Sequence, residues 1–105
     1  MPKKMIVQGD VYLVEIESLP EGMNKVEKNE RGYILAKGEH TGHAHVIDDE
    51  LDVYEQNGVL YIRTENEVQV THEEHLPITV EPGIWRVGIV QEYDPFMEET
   101  RNVQD

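Results

Sequence analysis

The chain contains no cysteine, few basic residues, one phenylalanine and one tryptophan. Without thiols, neither a disulfide framework nor a thiolate metal site can form. Only 9 Lys and Arg residues stand against 22 Asp and Glu residues, which gives a net charge of −13. Because binding to phosphate backbones and to anionic lipids depends on basic side chains, we expect neither nucleic acid nor a membrane as a partner.

Long apolar runs are also missing. Residues 1–10 hold no apolar stretch of signal-peptide length, and no later run could span a bilayer, so we expect a cytoplasmic protein. The length of 105 residues predicts a single β domain over residues 1–105. Its stability would come from packing, from a homo-oligomer or from a metal bound without cysteine. The acidic surface favours, if any, a basic protein partner.

The apolar residues alternate with polar ones at a period of two, which predicts half-buried strands. In segment 11–16, Val11 and Leu13 would lie on one face, and Tyr12 with Val14 on the other. A long loop is predicted over residues 18–32. Further strands are predicted at 33–36, 43–47, 67–71, 78–80 and 84–93. About eight short strands indicate an all-β fold, either a small barrel or a sandwich.

Two local signals refine this prediction. Asn57-Gly58 favours a two-residue hairpin turn, which needs positive φ at both positions. Counting outward from the turn pairs residues 51–56 with 59–64 and sets Tyr54 opposite Tyr61. Asp94-Pro95 is typical of a helix start, so a short C-terminal helix is predicted over residues 95–103.

All five histidines lie in two short segments, the first of which covers residues 38–45. His43 and His45 are two apart on a predicted strand, so both imidazoles would lie on one face. His40 precedes them on a loop with Gly38 and Gly42, and could turn toward the same point.

The second segment, residues 71–75, has a different pattern. Thr71 and Glu74 fit a capping box, and Pro77 prevents a longer helix. We therefore predict one helical turn that sets His72 beside His75. The hairpin between the two segments folds the chain back, so we expect both histidine clusters to meet around one site.

Converging imidazoles favour a divalent transition metal, Zn²⁺ or Fe²⁺. The candidate ligands are His40, His43, His45, His72 and His75. Nearby glutamates, which could act as ligands or general bases, are Glu39, Glu73 and Glu74. Two alternatives stay open: a non-enzymatic interaction or assembly module with structural histidines, and a small-molecule barrel with a histidine-lined mouth. With one serine, Ser18, and no glycine-rich phosphate loop, the sequence leaves enzyme activity undecided.

Motifs along nearly the whole chain resemble those of a family of small uncharacterised bacterial and phage proteins. They are Gly-Glu-His-Thr-Gly-His-Ala-His at 38–45, Thr-His-Glu-Glu-His-Leu-Pro-Ile at 71–78, Pro82-Gly83, and Gln91-Glu92-Tyr93-Asp94-Pro95 with Arg101, Val103 and Asp105. This resemblance implies no activity. His43-Ala44-His45 is also similar to the paired ligands of cupins, which are small β-barrels, although no histidine follows the Pro82-Gly83 turn.

Overall fold

The structure is a computed structural model that describes residues 4–37 and 42–90. Within these residues the chain is all β, and no helix there is long and apolar enough to cross a membrane. The ten strands are β1 (Met5–Gln8), β2 (Val11–Ile16), β3 (Asn24–Lys25), β4 (Tyr33–Lys37), β5 (Ala44–Ile47), β6 (Asp52–Gln56), β7 (Val59–Thr64), β8 (Val68–Thr71), β9 (Ile78–Val80) and β10 (Gly83–Ile89).

The strands form two antiparallel sheets. The larger sheet has the order β1-β2-β10-β7-β6-β3, and the smaller has the order β4-β5-β8-β9. In the described part of the chain the sheets do not close into a barrel, so the barrel alternative is wrong and an open two-sheet arrangement is observed. β1 and β9 are edge strands of different sheets. Side chains connect these two edges, since Lys4, just before β1, forms an ion pair with Glu81, just after β9.

The main core of the described residues lies between the sheets. Val11 and Leu13 of β2 are fully buried in it, on the face that their spacing of two residues predicts they share, while the intervening Tyr12 is buried in a second, smaller cluster with Val90. Trp85 of β10 packs in the same core as Ile47 and Val70 of the smaller sheet. Burying each such side chain stabilises the fold by about 1.5–3 kcal/mol before the entropy of ordering is subtracted.

The predicted hairpin is confirmed in its register. β6 and β7 pair from Gln56 opposite Val59 outward, with Tyr54 opposite Tyr61. Asn57 and Gly58 have φ values of 53° and 81°, as the two-residue turn requires.

Two strands of the structure were not predicted from the sequence. β1 was not predicted, and β3 lies inside the predicted loop 18–32, where Asn24 and Lys25 pair with β6. The count of about eight strands was therefore too low. The last strand was predicted over residues 84–93, and within the described residues β10 ends at Ile89. The predicted helix 95–103 lies outside the described residues.

The hairpin turn gives the first prediction. Gly58→Val should lower the free energy of unfolding by at least about 1 kcal/mol, because a β-branched residue is strained at positive φ. Urea denaturation measures the change. The control is Thr79→Val on the exposed side of β9, which should change stability by less than about 0.5 kcal/mol. Equal effects of the two substitutions would contradict the turn assignment.

Candidate functional site

The pairing of β5 with β8 brings the two histidine segments together. Val46 lies opposite Thr71 in this antiparallel pair, so the same register continued by one residue sets His45 against His72. The ring centres of His45 and His72 are 4.4 Å apart. The expectation that the two clusters meet in space is therefore confirmed for these two residues.

Two further imidazoles join this pair. The ring centre of His72 lies 4.6 Å from that of His75 and 5.7 Å from that of His43. His75 also faces His45 in a nearly parallel arrangement, with ring centres 5.9 Å apart. Four of the five predicted site residues thus form one group, which we call the histidine cluster. His40 lies outside the described residues.

The segment that carries His72 and His75 is a bend rather than the predicted helical turn. A capping box would need the Thr71 side chain to accept the Glu74 N–H. Instead the Thr71 hydroxyl donates to the Val46 carbonyl of the neighbouring strand, at 3.3 Å. The Glu74 N–H donates to Nδ1 of His72, at 3.0 Å. The Thr71 hydroxyl is therefore engaged by the neighbouring strand and does not cap a helical turn. The His72 imidazole accepts the Glu74 N–H in its place.

Gln8, at the end of β1, connects the larger sheet to this cluster. Its side-chain amide donates to the carbonyls of Val70, at 3.0 Å, and Leu76, at 2.8 Å. Its oxygen lies 2.7 Å from Nδ1 of His45. Both Gln8 and His45 are buried, with 3% and 4% of their surface exposed. The His45 ring is consequently held from one side by a buried hydrogen bond.

Asp10 faces the other nitrogen of His45. It occupies the tight turn between β1 and β2, where Gly9 has a φ of 59°. The Asp10 Oδ1 atom lies 3.3 Å from Nε2 of His45. Gly9 also makes room for the cluster, since a Cβ at this position would lie 2.6 Å from Nε2 of His75.

Sequence reasoning missed both Asp10 and Gln8. Gly9-Asp10 is a dipeptide typical of hairpin turns, so the turn itself could have been found. The proximity of this turn to His45 could not have been predicted, because it depends on how β1 of the larger sheet lies against the smaller sheet.

The predicted glutamates have different surroundings. The Glu73 carboxylate accepts hydrogen bonds from the Ala44 N–H and from the Arg31 guanidinium, both at 2.9 Å, and the Ala44 bond lowers the pKa of Glu73. Glu73 therefore ties the bend to β5. Glu74 lies at the cluster, with Oε1 3.3 Å from Nδ1 of His43. Glu39 lies outside the described residues.

Opposing effects act on the charge of His45. Burial lowers its pKa below the usual 6.5, the neighbouring His72 lowers it further, and Asp10 raises it. The net direction is downward, because removing the charged ring from water outweighs one exposed carboxylate. His45 is therefore neutral at neutral pH, with a lone pair on one ring nitrogen.

A small cavity lies among these groups, with a volume of about 200 Å³. It is lined by Asp10, Ala36, Lys37, His43, His45, His72, Glu74 and His75. Within the described ranges, no three His, Asp or Glu side chains already have their ligand atoms placed around a metal ion. Side chains would have to rotate for a third ligand to join His45 and Asp10.

Comparison with known proteins yields one family. Residues 7–90 match DUF8820, described as a domain of unknown function. The match agrees with the motif-based assignment to an uncharacterised family, while a bacterial or phage origin and the cupin resemblance stay predictions. No curated protein and no solved structure matches the chain.

The charge of His45 can be tested by NMR. Its pKa should be below 6.5, because burial and His72 oppose protonation. In the unfolded chain His45 takes up its proton near 6.5, so its burial should destabilise the fold progressively as pH falls from about 6.5 to the folded pKa. The measurement is the pH titration of the His45 ring shifts, with the urea-unfolded protein as control. A folded pKa above the unfolded one would show that Asp10 dominates instead.

Proposed function

We propose that this chain, which belongs to the DUF8820 family, binds a divalent transition-metal ion between His45 and Asp10. The observation that carries the proposal is the distance of 3.3 Å between Nε2 of His45 and Oδ1 of Asp10. In tetrahedral zinc sites the nitrogen and oxygen ligands lie about 2.0–2.2 Å from the metal, so two of them are about 3.3–3.4 Å apart. The pair therefore has the spacing of two ligands that share one ion.

The electrostatics of the pair support a cation. A metal ligand must have lost its proton, and the lowered pKa of His45 meets this condition at neutral pH. The Asp10 side chain is 63% exposed, so an ion can reach it from solvent. The net charge of −13 also raises the local concentration of cations near the surface.

His75 is the third ligand we assign. It is exposed, and it already faces the His45 ring, so a rotation of its side chain can bring a nitrogen toward the ion. Two histidines and one carboxylate form a ligand set that both Zn²⁺ and non-haem Fe²⁺ use in proteins. Such a set leaves a coordination position open, where a metal ion can activate water or bind a substrate.

The cavity is the right size for an ion rather than for a large organic ligand. Its volume of about 200 Å³ is below the roughly 300–1,000 Å³ of drug-sized ligand pockets. Since each water takes about 30 Å³, the cavity holds an ion with a few waters or one small molecule. This size argues against a drug-sized ligand in this cavity; a second pocket, of about 460 Å³, is lined by His72 and Glu73 but not by His45 or Asp10.

The competing function is an assembly module in which the histidines are structural. Its support is that Nδ1 of His72 accepts the Glu74 N–H and that Nδ1 of His45 contacts Gln8, so both rings hold loops in place. The two functions differ at Nε2 of His45, which donates a hydrogen bond to Asp10 in a structural role and must keep a free lone pair in a metal site.

The proposal predicts that protein purified without an affinity tag and stripped with a chelator binds one Zn²⁺ per chain. Asp10→Asn should weaken this binding by at least about tenfold, because the carboxylate is lost, and His75→Ala should weaken it as well. Calorimetric titration measures the affinity. Adding Zn²⁺ should also raise the melting temperature of the wild type, because an ion that binds only the folded state stabilises it by about 2.7 kcal/mol at 100 times its dissociation constant.

The matched control is Glu67→Gln, which removes one exposed carboxylate away from the cluster and should leave the affinity unchanged. If Asp10→Asn and Glu67→Gln have the same small effect, the ion is attracted by the net charge alone. Protein that binds no Zn²⁺ or Fe²⁺ and whose melting temperature does not respond to chelator would favour the assembly module.

A further inference from the structure

We infer that Gln8 is a positioning residue that fixes the tautomer of His45, so that the lone pair of the neutral ring lies on Nε2, facing Asp10. This inference rests on the proposed function only in naming a metal ion as the ligand of Nε2 of His45. The tautomer itself is a property of the protein without any ion.

The orientation of the Gln8 amide is determined by its partners. Its nitrogen lies 3.0 Å from the carbonyl oxygen of Val70 and 2.8 Å from that of Leu76. Carbonyl oxygens only accept hydrogen bonds, so the NH₂ group must face them. A flipped amide would place its oxygen against two other acceptors in a buried environment, which is costly.

This orientation determines the proton on His45. The Gln8 oxygen, which cannot donate, lies 2.7 Å from Nδ1 of His45. Nδ1 must therefore carry the hydrogen, and in the neutral ring Nε2 carries the lone pair. Two backbone carbonyls thus orient the Gln8 amide, and the amide determines which nitrogen of His45 carries the hydrogen.

The consequence appears on the other side of the ring. The Nε2 lone pair and the Asp10 carboxylate are both acceptors, yet they lie 3.3 Å apart. Only a cation or a shared proton makes this contact favourable. With the opposite tautomer, Nε2–H would simply donate to Asp10, and no ligand atom would be left. The orientation of Gln8 therefore determines whether Nε2 of His45 can bind an ion or instead donates a hydrogen bond to Asp10.

His72 provides a contrast within the same cluster. Its Nδ1 accepts the Glu74 N–H, so in its neutral form the hydrogen is on Nε2. Adjacent imidazoles therefore have opposite tautomers, each fixed by a different neighbour. In this arrangement His72 is a hydrogen-bond donor through Nε2, which is why we do not assign it as the third ligand.

The test compares two substitutions at Gln8 that treat His45 differently. The glutamate costs the fold more, because it sets a carboxylate oxygen against the two carbonyls that the amide nitrogen faced. Gln8→Glu and Gln8→Met both remove the donation to the Val70 and Leu76 carbonyls. The glutamate retains an acceptor for the Nδ1 hydrogen, whereas the methionine has only a weak one. Long-range ¹H–¹⁵N correlation spectra of the metal-free proteins, recorded above the pKa of His45, report its tautomer directly.

We expect Nδ1–H at His45 in the wild type and in Gln8→Glu, and a mixture or the opposite tautomer in Gln8→Met. Gln8→Glu should bind Zn²⁺ at least as tightly as the wild type, and Gln8→Met about 10- to 100-fold more weakly. A merely structural role of Gln8 predicts a loss of affinity in Gln8→Glu at least as large as in Gln8→Met, and that result would overturn the inference.

The wild type alone also decides the matter, should either variant fail to fold. A hydrogen on Nε2 of His45 in the metal-free wild type would overturn the inference. If the wild type shows Nδ1–H but binds no Zn²⁺ or Fe²⁺, the inference stands and the proposed function fails.

Discussion

The short pairing between β5 and β8 is the interaction on which both the smaller sheet and the histidine cluster depend. It consists of Val46 opposite Thr71 and Ile47 opposite Val70. Without it, β4-β5 and β8-β9 would be two separate hairpins, which are marginally stable on their own. Ile47 and Val70 are fully buried, so the main core holds this pairing in register.

The pairing of β5 with β8 ends at Thr71. Beyond that residue, backbone N–H and C=O groups have no hydrogen-bond partners in the sheet, and nearby polar groups must supply them. Side chains replace them: Glu73 accepts the Ala44 N–H, and Gln8 donates to the Leu76 carbonyl. Among the described residues, no buried side-chain nitrogen or oxygen lacks a hydrogen-bond partner. A buried network that is complete in this way fixes its members in one arrangement, including the His45 ring.

The sequence predicted the features that depend on local physics. The Asn57-Gly58 turn requires left-handed backbone geometry, and that requirement alone determined the register of β6 and β7. The proximity of His45 and His72 could also be predicted, because the β6–β7 hairpin between β5 and β8 folds the chain back toward β5.

Features that depend on contacts between sheets could not be predicted. Asp10 and Gln8 are ordinary residues of a turn and a strand end, and they reach the site only because β1 lies beside the smaller sheet. The predicted helical turn at 71–75 failed for a related reason, since a neighbouring strand engaged the Thr71 hydroxyl. Strand β3 has two residues, too few for a period-two pattern to be visible.

The central claim is that His45 and Asp10 share one metal ion, and the most direct test is anomalous diffraction from crystals of the chain grown with Zn²⁺. The account predicts one anomalous peak about 2.0–2.2 Å from both Nε2 of His45 and a carboxylate oxygen of Asp10, with His75 rotated toward it. A peak bound through Nδ1 of His45, or zinc found only on acidic residues away from the cluster, would contradict it.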